Sequence, residues 1–404
     1  MVSVCFYFQL HQPLRLRKYS VFEIGKHNNY FDEHKNESII KKVAHKCYLP
    51  ANRIILDLIN RTDGRFKVSY SMSGVALEQL ERYAPSVIGS FRQLVGTGCV
   101  EILDETYHHT LASIYSKDEF NEQIQMHNKK IKQLFNFRPR VFRNTELVYN
   151  NEIAELIGKM GYKGILAEGA DHILQWRSPD FVYKPKSTKM KLLLKNYRLS
   201  DDIAFRFSEK SWKEFPLTAE KYAGWISKVN GNGNVVNLFM DYETFGEHQW
   251  EDKGIFEFLR HLPYEVLKHK DNDFVTPSEA IKRYDAVAEL DFPHYVSWAD
   301  VERDLSAWLG NKMQQEAIKE IYLLETSVRL SNNPALIDEW RKLQTSDHFY
   351  YMCTKWFNDG DVHKYFNPYD SPYDAFIAYM NILNDFRIKA GRLSNDFNMP
   401  EIAK

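Results

Sequence analysis

The segment NVVNLFMDYETFGEHQW, residues 234–250, passes from a strongly apolar run directly into three carboxylates. If the run is a strand that continues through residue 243, Asp241 and Glu243 point to the same face, because side chains alternate along a strand. Two neighbouring carboxylates resist double ionisation, so the pKa of one of them should rise. A raised pKa is what a general acid needs near neutral pH. The third carboxylate, Glu247, follows Gly246 and is predicted to lie in a solvated loop or at a helix start.

Other polar side chains also stand where predicted strands end. His11 follows the first strand, Glu101 ends another with the pair His108 and His109 beyond it, and Glu146 follows a fourth. Singly, each of these residues is readily interpreted as part of a salt bridge or as a helix cap. Their repeated placement favours a shared site, because side chains at the carboxyl ends of parallel strands converge on one mouth.

The elements that would position these residues alternate along the first 285 residues. Amphipathic helical segments such as 121–134 and 152–160 lie between short apolar runs. This alternation is typical of a parallel sheet covered by helices, which can close as a barrel or stay open. The strand candidates are residues 2–10, 66–72, 99–103, 140–144, 164–169, 234–240 and 274–276.

The sequence changes character after about residue 290. Ile318, Ile321 and Val328 fall on one face of a predicted helix. Ser371 is a candidate N-cap, with Pro372 at the first helical position of the next helix. We therefore expect a catalytic barrel over residues 1–285 and a helical domain, packed on the barrel, over residues 286–404.

Composition and motifs exclude several classes of protein. The formal net charge is −1, and the absence of a basic stripe argues against nucleic acid as a partner. The apolar N-terminus is too short to span a bilayer and lacks the basic region of a signal peptide, which predicts a cytoplasmic protein without membrane association. Four scattered cysteines and the absence of HExxH and HxH patterns argue against a metal site. The chain contains no GxSxG motif, so its sequence does not indicate a nucleophilic serine.

What remains is chemistry by carboxylates. Two carboxylates that flank a glycosidic bond can supply a nucleophile and a general acid without any cofactor, and retaining enzymes hold them roughly 5–5.5 Å apart. The 24 Tyr, 26 Phe and 8 Trp would suit stacking on sugar rings, although composition alone favours a well-filled core as their explanation.

Five motifs together resemble glycoside hydrolase family 57, in particular its α-amylase branch. They occur in the order of the family's five sequence regions and cover most of the first 285 residues. The DxExFG pattern, with a glutamate nearly a hundred residues upstream, is the most specific of them. The motifs are HQP (11–13), GCVEIL followed by YHHTL (98–111), FRNTELVY (142–149), MDYETFGEH (240–248) and FVTPSEA (274–280).

The resemblance implies a (β/α)7 barrel, which is an incomplete TIM-like barrel, followed by a helical domain. It implies a retaining mechanism on α-1,4-glucans or maltooligosaccharides, with Glu146 as the nucleophile and Asp241 as the general acid/base. It also implies a stacking platform at Trp298, in the motif VSWAD. Around the sugar bound at the cleavage point it places His11, Glu101, His109 and Glu243.

Two departures from the family leave alternatives open. Many members carry Trp or another bulky apolar residue shortly before the nucleophile, whereas this chain has Arg143, which could pair with Glu146 or narrow the donor subsite. The YHHT segment replaces a version that usually contains proline, so either His108 or His109 could face the sugar. The competing functions are a 4-α-glucanotransferase or branching enzyme, a non-catalytic glucan-binding protein, and a metal-dependent deacetylase or mannosidase.

Overall fold

A computed structural model describes residues 2–186, 188–355 and 367–396. All seven predicted strands are present within two residues of their predicted bounds, and the last one lies at 272–274 instead of 274–276. One strand of the sheet, KLLLK, was not predicted. The strands are β1 (Val2–Leu10), β2 (Val68–Met72), β3 (Val100–Ile102), β4 (Val141–Arg143), β5 (Gly164–Glu168), β6 (Lys184–Pro185), β7 (Lys191–Lys195), β8 (Val235–Asp241), β9 (Asn272–Phe274) and β10 (Glu289–Leu290).

Helices separate most of these strands and fill the C-terminal part of the chain. They are α1 (Glu33–Val43), α2 (Leu49–Arg61), α3 (Gly74–Tyr83), α4 (Pro85–Gly96), α5 (Ala112–Tyr115), α6 (Lys117–Phe135), α7 (Asn151–Lys159), α8 (Asp171–Leu174), α9 (Tyr197–Ala204), α10 (Ala219–Ser227), α11 (Ile255–Lys268), α12 (Pro277–Arg283), α13 (Ser306–Leu309), α14 (Lys312–Leu323), α15 (Glu325–Leu330), α16 (Pro334–Lys342), α17 (Ser346–Tyr350) and α18 (Pro372–Asp396).

Seven of the strands in the described part of the chain form a parallel ring. Backbone pairing gives the orders β3-β2-β1-β8 and β4-β5-β7. Asp104 joins β3 to β4, because its N–H donates to Val141 O (3.0 Å) and its carbonyl accepts from Arg143 N–H (2.8 Å). Asn196, directly after β7, donates its N–H to Asn237 O of β8 (2.9 Å) and completes the ring. The predicted α/β class, a (β/α)7 barrel followed by helices, is confirmed.

Side chains along each strand alternate between the barrel interior and the surrounding helices. Cys5 and Tyr7 of β1 belong to a buried interior cluster that also contains Phe239 of β8. Phe8 points the other way and packs on Tyr70, with their ring centroids 5.5 Å apart. This period of two decides which residues at the strand ends reach the mouth.

Local sequence signals fix where the helices begin. Thr276 caps α12 by accepting a hydrogen bond from Glu279 N–H, and the Glu279 side chain accepts one from the Thr276 N–H. Pro277 occupies the first turn, where no N–H is needed. Asn150 caps α7 in the same way through Ile153 N–H. These caps fix the directions of the loops that carry the mouth residues.

By packing, the chain divides into two compact units. The first comprises residues 1–12, 37–107 and 123–298, and the second comprises residues 13–36, 108–122 and 299–404. From the sequence we predicted a single domain boundary at 285/286, because we took each domain to be one continuous stretch of chain. Residues 356–366 and 397–404 of the predicted helical domain lie outside the described residues.

The second unit is mainly helical and contains a buried ionic cluster. Glu119 is fully buried, and its two oxygens accept from Arg329 (2.8 Å) and Arg341 (2.8 Å). Asp374 N–H donates to Ser371 Oγ at the start of α18, as the predicted cap requires. Paired charges of this kind can be buried because each has its partner within hydrogen-bonding distance.

Candidate active site

The inward-facing side chains of the barrel end in polar groups at the carboxyl ends of the strands. Leu103, directly after β3, and Leu166, within β5, lie in the interior cluster, and the next inward positions are Glu105 and Glu168. The same order recurs around the ring because the alternation continues to each strand end. The resulting mouth residues are Gln9, Ser71, Glu105, Arg143, Glu168, Lys195 and Asp241.

Asp241 is the last residue of β8 and lies in register with Gln9 of β1. It shares its face of the strand with Phe239, which belongs to the barrel interior, so its carboxylate points into the mouth. The side chain is partly exposed. This placement brings the Asp241 carboxylate to the open end of the barrel, where a ligand can reach it.

Glu243 lies in a short 3-10 turn, Tyr242–Thr244, because β8 ends at Asp241. The strand continuation considered from the sequence is therefore wrong. Glu243 is only 3% exposed, and it accepts hydrogen bonds from Tyr48 Oη and from Gln12 Nε2 (3.2 Å). Burial, and secondarily the charge of Asp241, raises the pKa of Glu243 to about 8. The raised pKa expected of this pair thus falls on Glu243.

Glu146 has an unusual backbone conformation. It lies in the turn Thr145–Leu147 with φ 56° and ψ 25°, in the left-handed region, and Leu147 follows with φ 51°. Non-glycine residues rarely adopt this conformation, which costs of order 1 kcal/mol and is concentrated at functional sites. Trp298 holds the turn by donating its backbone N–H to Glu146 O (3.1 Å). Its indole N–H donates to Glu146 Oε2 (2.6 Å).

Arg143, at the end of β4, lies beside this turn. Its side chain is 0% exposed, and no guanidinium nitrogen has a hydrogen-bond partner among the described residues. Its charge stands 4.8 Å from the centroid of the Trp298 ring, and the Glu105 carboxylate is 4.0 Å from its Nη1. Lys195 Nζ lies 5.4 Å from the same ring. Arg143, which the sequence suggested as a partner of Glu146, thus contacts Trp298 and Glu105.

Two other residues from the sequence prediction are held by serines. His11 Nδ1 lies 2.6 Å from Oγ of Ser73, the residue that caps α3. Glu101 is in register with Ser69, below the level of the mouth, and accepts from Ser278 N–H (2.8 Å) and Ser278 Oγ. The inward residue that β3 brings to the mouth is Glu105, and the sugar-binding role of Glu101 stays a prediction.

The histidine pair belongs to the second unit. His108 is fully buried, and burial, reinforced by the nearby charge of Arg341, holds its pKa well below the ordinary value. His109 has φ 53°, and its carbonyl accepts from Ser346 N–H (2.9 Å). Contact of either ring with a sugar remains a prediction.

Glu247 does not lie in a solvated loop, and that expectation is wrong. The side chain is 0% exposed and forms ion pairs with Lys42 (2.6 Å) and Lys46 (3.6 Å). The reason is the backbone of Gly246, whose φ of 115° and close approach to Lys46 O turn the chain back onto the barrel. Glu247 is therefore an internal ion-pair residue.

Sequence reasoning missed Gln12, Glu105, Glu168 and Lys195. The last three could have been found by continuing the period of two along each strand, starting from an apolar inward residue. Lys195 required β7 to be predicted first. The signal for Gln12 is weaker, because its contact with Glu243 spans 231 residues.

Neither a metal cluster nor a membrane helix is found in the described ranges. Over residues 2–186, 188–355 and 367–396, no group of three or more His, Cys, Asp or Glu side chains is arranged to hold a metal ion. Across the same ranges, no helix combines the length and hydropathy that are needed to cross a bilayer.

Carboxylates at the ends of parallel strands line the mouth of the barrel, an arrangement that is compatible with glycosidase chemistry. The comparisons identify the family. Residues 5–293 match the model of glycosyl hydrolase family 57. The chain is 47% identical over 399 residues to a protein of Methanocaldococcus jannaschii described as a "Putative alpha-amylase", with 95% of this chain and 84% of that protein covered. The chain belongs to glycosyl hydrolase family 57, and the resemblance to its amylase branch is confirmed.

Two solved structures share the fold. A branching enzyme of the family from Thermococcus kodakaraensis superimposes with a TM-score of 0.68 at 15% identity, covering 97% of this chain and 90% of that one. A 4-alpha-glucanotransferase from Thermococcus litoralis gives a TM-score of 0.65 at 16% identity, covering 86% of this chain and 56% of that one. At these identities the likeness establishes the fold alone.

Proposed function

We propose that this protein is a retaining glycoside hydrolase that acts on α-1,4-glucans, with Glu146 as the nucleophile and Asp241 as the general acid/base. The observation that carries the proposal is the fixed carboxylate of Glu146, held by Trp298 on a left-handed backbone at the barrel mouth. Asp241 points into the same mouth from β8. The substrate class rests on the 47% identical amylase-like relative.

The first step breaks the glycosidic bond. A Glu146 oxygen attacks the anomeric carbon from the β face while Asp241 gives its proton to the leaving oxygen. The electron pair of the glycosidic bond goes to that oxygen, the shortened glucan departs, and a β-glycosyl ester of Glu146 remains. The indole N–H of Trp298 bonds the second oxygen of Glu146, so one oxygen stays oriented while the other reacts.

The second step releases the sugar. The Asp241 carboxylate takes a proton from water, the water oxygen attacks the anomeric carbon, and the electron pair of the ester bond returns to Glu146. Two inversions leave the α configuration unchanged. Asp241 ends protonated and Glu146 ends ionised, so both are ready for the next cycle.

Glu243 adds no second negative charge beside Asp241 near neutral pH. With a pKa of about 8, the Glu243 carboxyl is protonated there, so the two neighbouring acids do not both carry charge. Tyr48 and Gln12 hold Glu243 in place. We assign Glu243 the role of a neutral neighbour, and Asp241 is the member of the pair that exchanges its proton with the leaving oxygen and with water.

The decisive test of this proposal is a pair of matched variants. Purified wild type, Glu146→Gln and the control Glu155→Gln, whose side chain is exposed on α7, are incubated with maltoheptaose. We expect at least a thousandfold loss of turnover in Glu146→Gln, with glucan binding retained and the control unchanged. Turnover that survives in Glu146→Gln would refute the assigned nucleophile, and a wild type that binds glucans without turnover would indicate a non-catalytic binding protein.

A 4-α-glucanotransferase or branching enzyme is the second candidate, because both solved relatives carry such activities by name. In that case a sugar hydroxyl replaces water in the second step, and Glu146 and Asp241 keep their roles as nucleophile and general acid/base. The products from maltoheptaose separate the two: only shorter chains mean hydrolysis, and chains longer than seven units mean transfer.

A further inference from the structure

We infer that Trp298 is a positioning residue for Glu146 and that Arg143 holds Trp298 in that role. The sequence suggested a stacking platform for sugar at this position, so the inference gives the residue a different function. It rests on the proposed function, in which Glu146 is the nucleophile.

Trp298 contacts Glu146 twice, through its main chain and its side chain. The backbone N–H bonds Glu146 O at 3.1 Å, and the indole N–H bonds Glu146 Oε2 at 2.6 Å. The main-chain bond stabilises a left-handed turn that would otherwise relax. The side-chain bond fixes the carboxylate and favours its ionised form, because a donor to a charged carboxylate lowers its pKa.

The ring of Trp298 is itself clamped. The Arg143 guanidinium lies 4.8 Å from its centroid and the Lys195 ammonium lies 5.4 Å from it. Trp298 also packs against the apolar interior cluster of the barrel. Arg143 can hold this geometry because it is fully buried, and its nitrogens form no hydrogen bond within the described residues that would draw it elsewhere. A ring engaged in this way is suited to orient its N–H.

The charged side chains around Trp298 also favour the ionised form of Glu146. Arg143 on β4 and Lys195 on β7 are the cations that face the ring, while Glu105 lies 4.0 Å from Arg143 and Glu168 lies 3.7 Å from Lys195. Both cations favour a negative charge on nearby Glu146. Their carboxylate partners reduce this effect, so the direct hydrogen bond from Trp298 should dominate.

The test compares Trp298→Phe with Trp250→Phe, a control that removes an indole donor to Glu247 O outside the mouth. For Trp298→Phe we expect kcat to fall about 10- to 100-fold, the range for a hydrogen bond to a charged group. KM should stay within about twofold. The acidic limb of the kcat/KM profile should move to higher pH, because a Glu146 that loses its donor ionises less readily.

A sugar-stacking role predicts the opposite pattern and would overturn the inference. In that case KM rises, while kcat and the acidic limb remain as in wild type. If Trp298→Phe unfolds, benzothienylalanine introduced at position 298 by nonsense suppression keeps the ring shape and removes only the N–H. The same shift of the acidic limb is then expected, and its absence counts against the inference.

Arg143→Met tests whether Arg143 holds the ring of Trp298 in position. We expect a smaller fall in kcat and a shift in the same direction, and no further loss when Arg143→Met is added to Trp298→Phe. Additive losses would refute the role of Arg143 in holding Trp298, because Arg143 would then act on Glu146 or on substrate independently of Trp298. A 5-fluoro-α-glucosyl fluoride labels the nucleophile covalently, and mass spectrometry locates the label. A label on a residue other than Glu146 refutes the proposed nucleophile. A label on Glu146, together with an unshifted pH profile of Trp298→Phe, refutes only the positioning role of Trp298.

Discussion

His127 lies between two acceptors, with Nδ1 2.5 Å from the Asp104 carboxylate and Nε2 2.9 Å from the carbonyl oxygen of Met72. Both ring nitrogens can donate only when the imidazole is protonated. Burial by itself lowers the pKa of His127, but the hydrogen bond and charge of Asp104 outweigh it and the pKa is raised. His127 therefore ties the end of β2 to Asp104, two residues beyond β3.

This relationship predicts a pH-dependent stability. Because the folded pKa of His127 is raised, its contribution is fully present below its unfolded pKa of about 6.5 and is lost as pH rises through the folded value. His127→Gln should cost about 3 kcal/mol at pH 5.5 and less at alkaline pH. Chemical denaturation of both proteins from pH 5.5 to 9 measures this. A constant difference across that range would mean that folding does not raise the pKa of His127.

Glu243 provides a second pH prediction. Its folded pKa of about 8 lies above the ordinary carboxyl value, so its contribution to stability is lost as pH rises from about 4.5 through 8. Glu243→Gln resembles the protonated form, and it should be more stable than wild type at pH 9 while matching it at pH 4.5. Chemical denaturation of wild type and Glu243→Gln at pH 4.5 and at pH 9 measures this difference in stability. Equal stability at pH 9 would contradict the raised pKa.

The activity of Glu243→Gln should follow the same logic. If the neutral carboxyl is the working form, this variant keeps activity within about tenfold near pH 6.5 and lacks the part of the alkaline decline centred near pH 8. Glu243→Ala serves as the contrast, because it removes the acceptor for Tyr48 and Gln12. Rate profiles of both variants on one maltooligosaccharide provide the measurement. A Glu243→Gln profile with an unchanged alkaline limb would assign that limb to another group.

Glu101 should matter for stability more than for turnover. Its buried carboxylate accepts both donors of Ser278 at the start of α12. Glu101→Ala should lower the free energy of unfolding by about 2 kcal/mol and leave kcat/KM within about threefold. Ser278→Ala should cost less, and the double variant should show that the two effects are not additive. A large loss of kcat/KM in Glu101→Ala with a normal melting temperature would instead support its predicted contact with sugar.

Azide rescue provides an independent check on the carboxylate roles. Glu146→Gly with an activated α-glucosyl fluoride should regain turnover when azide is added, because azide can occupy the space of the missing carboxylate. The product should be the β-glucosyl azide, since a single displacement inverts the anomeric centre. Asp241→Gly should instead give the α-glucosyl azide through the intact Glu146. The two products, assigned by NMR, would be exchanged if the roles were reversed.

The sequence predicted much of this barrel because strong local patterns coincide with it. Residues 2–10 and 234–240 alternate or run apolar over a full strand, and they appear as β1 and β8. β7 was missed because lysines flank a run of only three leucines, a pattern that does not distinguish a strand from a helix. All three leucines are nevertheless buried, Leu193 in the barrel interior and the other two on the side of the surrounding helices.

The candidate site was predicted in part for similar reasons. Strand ends identified Asp241, but the exit of β8 into a 3-10 turn, which buries Glu243, depends on packing against Tyr48 and is not visible in the local sequence. The burial of Glu247 depends on lysines two hundred residues away along the chain. Such long-range contacts leave little trace in a single sequence.

The pairing of β1 has a consequence for how the chain folds during synthesis. Of the barrel strands it is synthesised first, yet Ser3 and Val4 pair with Val235 and Val236 of β8 and with residues of β9. At 5–20 residues per second, β1 must wait on the order of 10–50 s for β8. During that interval β2 can cover one edge of β1, whereas the edge that meets β8 stays open. We therefore expect this apolar edge to attract molecular chaperones and to favour aggregation until β8 has been synthesised.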